Sequence, residues 1–232
     1  MKKLTKKRKI LTTLIKKNHI YSIQESIILL KKTTTKKFIE SLDVSINLGI
    51  NPKKSDQNIR NTTLLPHGTG KIKKVAVFTQ GENEKLAKNY GADIVGLEDL
   101  IEQIKNKKIY FDIAIATPDV MSSVGKIGSI LGPRGLMPNP KLGTITNKLK
   151  YAIQNAKSGQ IFYKNDKNGI IHATIGKINF SEKKIQENLH ALLTSLKKSK
   201  PKQSKGTYIQ KIVISTTMSP GIKIDLSTIN NV

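Results

Sequence analysis

Cysteine is absent from this chain of 232 residues. That excludes disulfides, thiolate zinc sites and cysteine nucleophiles, and it agrees with a reducing compartment. Long apolar runs are missing too, and none approaches the ~20 residues of a membrane span. The basic start is followed by Ile10-Leu11-Thr12-Thr13-Leu14-Ile15 and then Lys16-Lys17, too short and interrupted for the apolar region of a signal peptide. The expectation is an intracellular protein with no membrane partner. Histidine is scarce: His19, His67, His172 and His190 are scattered, none with a carboxylate at a familiar metal-ligand spacing. Acid is scarce as well, with 16 Asp+Glu against 41 Lys+Arg and a formal charge of +25. The many Lys, Ile and Asn residues suggest an AT-rich genome, but such a bias exchanges Arg for Lys without removing acids. An imbalance this large over a whole chain therefore points to a polyanion, above all a nucleic acid.

Signatures of catalysis are lacking in the same way. Gly68-Thr69-Gly70-Lys71 has the look of a phosphate loop's end, but Leu65 stands where the first glycine is needed and Ile72 where a Ser or Thr is needed. Gly125, Gly128 and Gly132 do not make a dinucleotide motif and follow no strand pattern, and there is no Gly-x-Ser-x-Gly elbow. Nothing implies a cofactor or a metal. A nucleic-acid-modifying enzyme, with a nucleotide-like cofactor on an α/β domain, and a DNA-binding regulator are the rival classes.

What is present reads as two textures. Ser22 with Glu25 three residues on forms a capping box for a helix that ends near Lys32, preceded by a basic helical pattern over Lys2–Lys17. Leu42, Val44, Ile46 and Leu48 alternate with polar residues as a strand with one wet face, and Thr62–Leu65 starts a return strand before the breaker Pro66–Gly70. Beyond Lys71 come short continuous apolar runs, Val75–Phe78 and Phe111–Ala116, alternating with helical segments over Glu84–Asn89 and Glu98–Lys105, as in a buried parallel sheet. Further helices are expected over Val124–Leu131 and Asn147–Lys157. After Ser158-Gly159 the alternation returns: Ile161–Tyr163 and Ile170–Ile175 read as a β-hairpin around Asn165–Gly169, followed by a helix capped by Ser181 and strands over Ile209–Ser215 and Ile222–Ile224. The expected fold is therefore α/β and α+β in two domains: a discontinuous two-layer α+β domain from residues 1–66 and 158–232, and an inserted three-layer α/β domain over 67–157. The outer segments carry 15 bases with 4 acids and 12 bases with 4 acids, the inner one 14 with 8, so most of the excess charge falls on the outer domain.

Three clusters suit RNA. Lys36-Lys37-Phe38 joins two phosphate-reaching cations to a ring that either stacks on RNA or packs in the core. Ser215-Thr216-Thr217-Met218-Ser219-Pro220-Gly221 is a polar turn whose hydroxyls suit phosphate or 2′-hydroxyl contacts, although alone it is an ordinary turn. Lys164 and Lys167 sit on the hairpin tip, where solvation is the simpler reading. The loop Leu131–Pro140, with three prolines, two glycines and Arg134, is stiff and shaped but contains no nucleophile or base.

Gly132–Pro140, together with Phe38-Ile39-Glu40-Ser41, Asn58-Ile59-Arg60, Leu65–Gly70, Asn165–Gly169 and Ser215–Met218, resembles the bacterial-type family of large-subunit ribosomal protein number one, over essentially the whole chain and in order. The resemblance implies the two-domain fold above, no enzymatic activity, and binding to the stalk region of large-subunit ribosomal RNA through the terminal domain. Further expectations follow from it: support for release of transfer RNA from the exit site, repression of the chain's own operon through its messenger RNA, a monomeric state outside the ribosome, and a cytoplasmic location in the large subunit. Residue by residue it implies RNA contacts at Lys37, Phe38, Ser41, Lys167, Ser215, Thr217 and Met218. One position departs: family members commonly have Gly where this chain has Ser219.

Overall fold

A computed structural model of the chain describes residues 11, 13–16, 19–34, 38–106, 109–204 and 206–227. Most of the basic segment Lys2–Lys17, and both Lys36 and Lys37, lie outside the described residues. In chain order the elements are α1 (Ile23–Thr33), β1 (Ser41–Leu48), β2 (Arg60–Leu64), β3 (Val75–Phe78), α2 (Glu82–Asn89), β4 (Ile94–Gly96), α3 (Glu98–Lys105) and β5 (Ile113–Ala116). There follow α4 (Met121–Gly125), α5 (Gly128–Leu131), α6 (Leu149–Lys157), β6 (Gln160–Lys164), β7 (Ile170–Lys177), α7 (Glu182–Lys198), β8 (Ile209–Thr216) and β9 (Ile222–Ile224). The chain divides into two compact units, one of residues 1–70 and 161–232, the other of residues 71–160.

The terminal unit is a four-stranded sheet in the order β7-β1-β8-β9, antiparallel throughout, with α1 and α7 on one face. The alternation of β1 decides which face. Leu42, Val44, Ile46 and Leu48 are fully or nearly buried, while Ser41, Asp43, Ser45 and Asn47 point the other way. The buried set meets Ile27 and Leu30 of α1 and Ile185, Leu189, Leu192, Leu193 and Leu196 of α7, which recur at helical spacing. Burying each such side chain stabilises the fold by about 1.5–3 kcal/mol. The start of α1 is fixed by a reciprocal capping box, in which the Glu25 N–H donates to Ser22 Oγ (3.2 Å) and the Ser22 N–H donates to Glu25 Oε2 (3.0 Å).

One polar residue interrupts the apolar face of α7. Asn188 is fully buried; its Oδ1 accepts the His67 N–H (3.1 Å), and its Nδ2 donates to the carbonyls of Gly68 (2.9 Å) and Ile175 (2.8 Å). It ties the segment leaving β2 to both α7 and β7, and the His67 ring adds a side-chain hydrogen bond with Glu187 from the same helix. Gly70 completes the crossing with φ of +71°, where an added Cβ would lie 2.9 Å from the Lys177 side chain and 3.1 Å from the Phe180 ring.

The expected β-hairpin is not laddered. Asn165 and Ile171 form a single bridge, after which β6 pairs with β2 and β7 pairs with β1. The turn itself is tight, because Asp166 Oδ1 accepts the N–H groups of Asn168 and Ile170, each at 2.8 Å. The strands diverge because each has a longer partner elsewhere, β7 running beside β1 from Ser41 to Asn47.

In the second unit the parallel sheet runs β4-β3-β5. All four residues of β3 and all four of β5 are buried, so both faces are covered, as in a three-layer α/β arrangement. The helix expected over Val124–Leu131 is split into α4 and α5 at Lys126-Ile127. Gly125 and Gly128 flank the break, where glycine weakens helix continuity. The stiff loop then closes with Asn139, whose Oδ1 accepts the Lys141 N–H (2.8 Å) and whose N–H donates to Thr144 Oγ1 (2.7 Å). Leu131 and Pro138 are buried and Gly132–Gly135, including Arg134, are exposed.

Candidate nucleic-acid interface

Antiparallel pairing brings the start of β1 against the end of β8. Leu42 faces Thr216 and Asp43 faces Ser215 across the ladder. Where the ladder stops, residues 176 positions apart continue it: the Ser41 N–H donates to Thr217 Oγ1 (3.2 Å) and the Thr217 N–H donates to the Ser41 carbonyl (3.2 Å). On the other side Lys177 Nζ donates to Ser41 Oγ (2.8 Å). The outward face here is Ser41, Asp43, Thr174, Lys177 and Ser215, with Thr174 Oγ1 donating to Asp43 Oδ1 (2.6 Å).

Three large apolar side chains stand out of the surface at this sheet end: Phe38 is 48% exposed, Ile39 56% and Met218 55%. Phe38 is therefore not a core ring. A hydroxyl-rich edge with lysine and exposed apolar side chains can stack on bases, pack on ribose and donate to phosphate or 2′-hydroxyl oxygens. Thr217 Oγ1 already accepts the Ser41 N–H, and its hydroxyl proton has no acceptor among the described residues. It is set to donate outward.

One expectation needs correcting, that of an RNA contact by the Thr216 side chain. Thr216 is only 3% exposed and its hydroxyl has no hydrogen-bond partner among the described residues. The two-residue period of β8 turns it toward the core while Ser215 and Thr217 face out, so its side chain backs the site and does not line it. The backbone N–H groups from Thr216 to Ser219 are all engaged within the protein. Thr216 N–H donates to Ser219 Oγ (2.8 Å), Met218 N–H to Glu40 Oε2 (3.2 Å) and Ser219 N–H to the Thr216 carbonyl (3.2 Å), and Pro220 has none to give.

Lys164 and Lys167 are exposed, but they belong to the far end of the sheet. Ser41 pairs with Lys177 at one end of β7, and Asn47 pairs with Ile170 at the other. At about 3.3 Å per strand residue, the turn that carries Lys167 lies roughly 20 Å from Ser41. The fold thus brings Phe38, Ser41, Ser215, Thr217 and Met218 together and leaves the two lysines as a separate patch. In the sequence Ile39 and Glu40 stand only as part of the Phe38–Ser41 motif, with no site role, and Lys177 stands in no motif. Parity was the available signal: Ile39 falls on the outward register of β1, and Glu40 places a carboxylate on the inward one.

Between the two patches lies an arrangement with the outline of a catalytic triad. Ser45 Oγ is 3.0 Å from His172 Nδ1, and His172 Nε2 is 3.8 Å from Asp166 Oδ2. The second separation exceeds a hydrogen bond. The backbone N–H of Ile170, first among several contacts, holds the Asp166 carboxyl below the usual range, and its task is to close the 166–169 turn. Ser45 sits in a strand paired on both sides, which leaves no N–H pair beside it for an oxyanion. Among the described residues no group of three or more His, Asp or Glu is placed to hold a metal ion, and no helix is long and apolar enough to cross a membrane.

Residues 30–220 match the profile of the ribosomal protein L1p/L10e family. A Buchnera aphidicola subsp. Baizongia pistaciae protein named large ribosomal subunit protein uL1 is 71% identical over 231 residues, covering 100% of this chain and 99% of its own length. Proteins of the same name from Pasteurella multocida and Vibrio vulnificus are 56% and 55% identical, over 99% of this chain and 100% and 99% of theirs. With a profile match across both structural units and relatives more than half identical from end to end, the chain belongs to the ribosomal protein L1p/L10e family.

Proposed function

We propose that this protein is a structural constituent of the large ribosomal subunit that binds the stalk region of large-subunit ribosomal RNA through its terminal unit. The observation that carries this reading is the convergence of Phe38, Ser41, Ser215, Thr217 and Met218 at one sheet end, in a unit with a large excess of base over acid. Lys36 and Lys37 immediately precede Phe38 in the chain and supply cations to the same contact. Lys164 and Lys167 reach phosphates of a second stretch of the same RNA, and the lysines of both patches give salt-dependent affinity while the hydroxyl edge reads shape and 2′-hydroxyls. On the family resemblance, the bound protein supports release of deacylated transfer RNA from the exit site, and it represses its own operon by binding a messenger-RNA structure similar to the ribosomal one.

The test is competition between a stalk-region RNA fragment and duplex DNA of equal length at fixed salt. Preference for the RNA by at least about 10³-fold is expected for specific over non-specific binding. Equal affinity would remove the specific-RNA reading. Repression is tested separately, with a reporter whose leader carries the operon's candidate RNA structure.

A further inference from the structure

We propose that Glu40 is the positioning residue of the Thr216–Ser219 turn: a carboxylate buried behind the surface that holds the Met218 N–H and so sets the direction in which Thr217 and Met218 face an RNA. The proposal rests on the reading of this turn as an RNA contact.

Glu40 is 0% exposed, so it cannot touch a ligand. It lies one residue before β1, on the inward side of the alternation, where an apolar side chain would ordinarily stand. Burying a carboxylate is costly unless its oxygens are satisfied, so its presence there calls for bonds that a neutral apolar residue could not make. One of them is to the turn: Oε2 accepts the Met218 N–H at 3.2 Å, across 178 residues of sequence. The Glu40 backbone is itself fixed, since its carbonyl accepts the Ile178 N–H (3.1 Å) just past the end of β7. The carboxylate therefore reaches the turn from a point anchored in a third strand.

The turn is held from two more sides. Ser41 and Thr217 exchange backbone and hydroxyl bonds in front of Glu40, and Ser219 Oγ accepts the Thr216 N–H at 2.8 Å behind it. Every N–H from Thr216 to Ser219 is thereby engaged within the protein before any ligand arrives. A turn so fixed has little conformational freedom left to lose on binding, which is how preorganisation raises affinity. It also follows that recognition by this turn passes through the Thr217 hydroxyl, the Met218 thioether and backbone carbonyls. Ser219, where family members commonly have glycine, supplies an acceptor that glycine lacks; in this chain its hydroxyl replaces backbone freedom with a bond.

The experiment uses the full chain as wild type, Glu40→Ala, Glu40→Met and Glu40→Gln, with two readouts. The first is amide hydrogen exchange at Met218 without RNA; the second is affinity for a synthetic stalk-region RNA fragment over a series of salt concentrations. Glu40→Ala and Glu40→Met, the latter filling the space without an acceptor, should speed exchange at Met218 and weaken binding about tenfold, the scale of one hydrogen bond to a charged group. The salt slope should stay at the wild-type value, because no phosphate contact is lost. Glu40→Gln keeps an acceptor oxygen and should recover both readouts to within about threefold. Faster exchange with unchanged affinity would overturn the positioning role, as would a Gln variant as defective as the Met one. Failure of the wild type to prefer the RNA fragment over duplex would instead sink the functional reading, with the exchange data still reporting whether Glu40 holds the turn.

Discussion

Replacing Asn188 by alanine should destabilise the terminal unit by about 4 kcal/mol, more than a surface polar substitution costs. The side chain makes three hydrogen bonds and is fully buried. Its bond to the Ile175 carbonyl is buried at both ends, so that carbonyl loses its partner and bears about 1–3 kcal/mol of desolvation. The bonds to His67 N–H and Gly68 carbonyl are partly buried; water can replace each, leaving about 0.5–1.5 kcal/mol apiece. Together the three bonds span about 2–6 kcal/mol, centred near the value given. Urea unfolding followed by a probe in each unit provides the assay. The transition of residues 1–70 and 161–232 should move to lower denaturant with its slope unchanged, while that of residues 71–160 keeps its midpoint. Asn188→Leu, which fills the cavity but leaves the same groups unpaired, should be no better. A loss below about 1 kcal/mol, or rescue by leucine, would refute the claim that hydrogen bonding and not volume sets the cost.

The double variant Thr217→Ala/Met218→Ala should weaken binding of the stalk-region RNA about 100-fold in a filter assay, more than lost apolar area explains, with the unfolding midpoint unchanged; wild-type affinity would remove the turn from the interface. Asp112 receives a hydrogen bond from Lys71 Nζ at 2.6 Å, which with the Lys74 N–H holds its carboxyl below the usual range against the effect of burial. A depressed carboxyl stabilises above its unfolded value near 4 and loses that contribution as pH falls through the folded one, so Asp112→Asn should cost the inner unit up to about 1 kcal/mol at pH 7 and progressively less below pH 4. Burial, and then Tyr163, pushes the Tyr208 hydroxyl up to about 12. In ultraviolet titration one tyrosine should ionise there and vanish in Tyr208→Phe. Between about 10 and 12 the unfolded chain ionises first, so stability should fall by about 1.4 kcal/mol per pH unit more steeply than in the variant.

Local periodicity was readable in the sequence because it is written within a few residues. The alternation of Leu42, Val44, Ile46 and Leu48, the Ser22–Glu25 capping box, the helix capped by Ser181 and the buried run at 75–78 each appear where the pattern put them, and the run expected over Phe111–Ala116 forms a strand over Ile113–Ala116. The expectation of a polyanionic partner needs the sequence alone, since a charge excess is a sum over residues and needs no coordinates. Tertiary structure alone decided pairing and facing. That Ser41 meets Thr217, that Thr216 turns inward, that β6 and β7 part after one bridge, and that Glu40 rather than solvent takes the Met218 N–H all depend on registers set between distant strands. A strand's period says which residues share a face, but the ladder's end, where the period stops, is fixed only by the neighbours it has found.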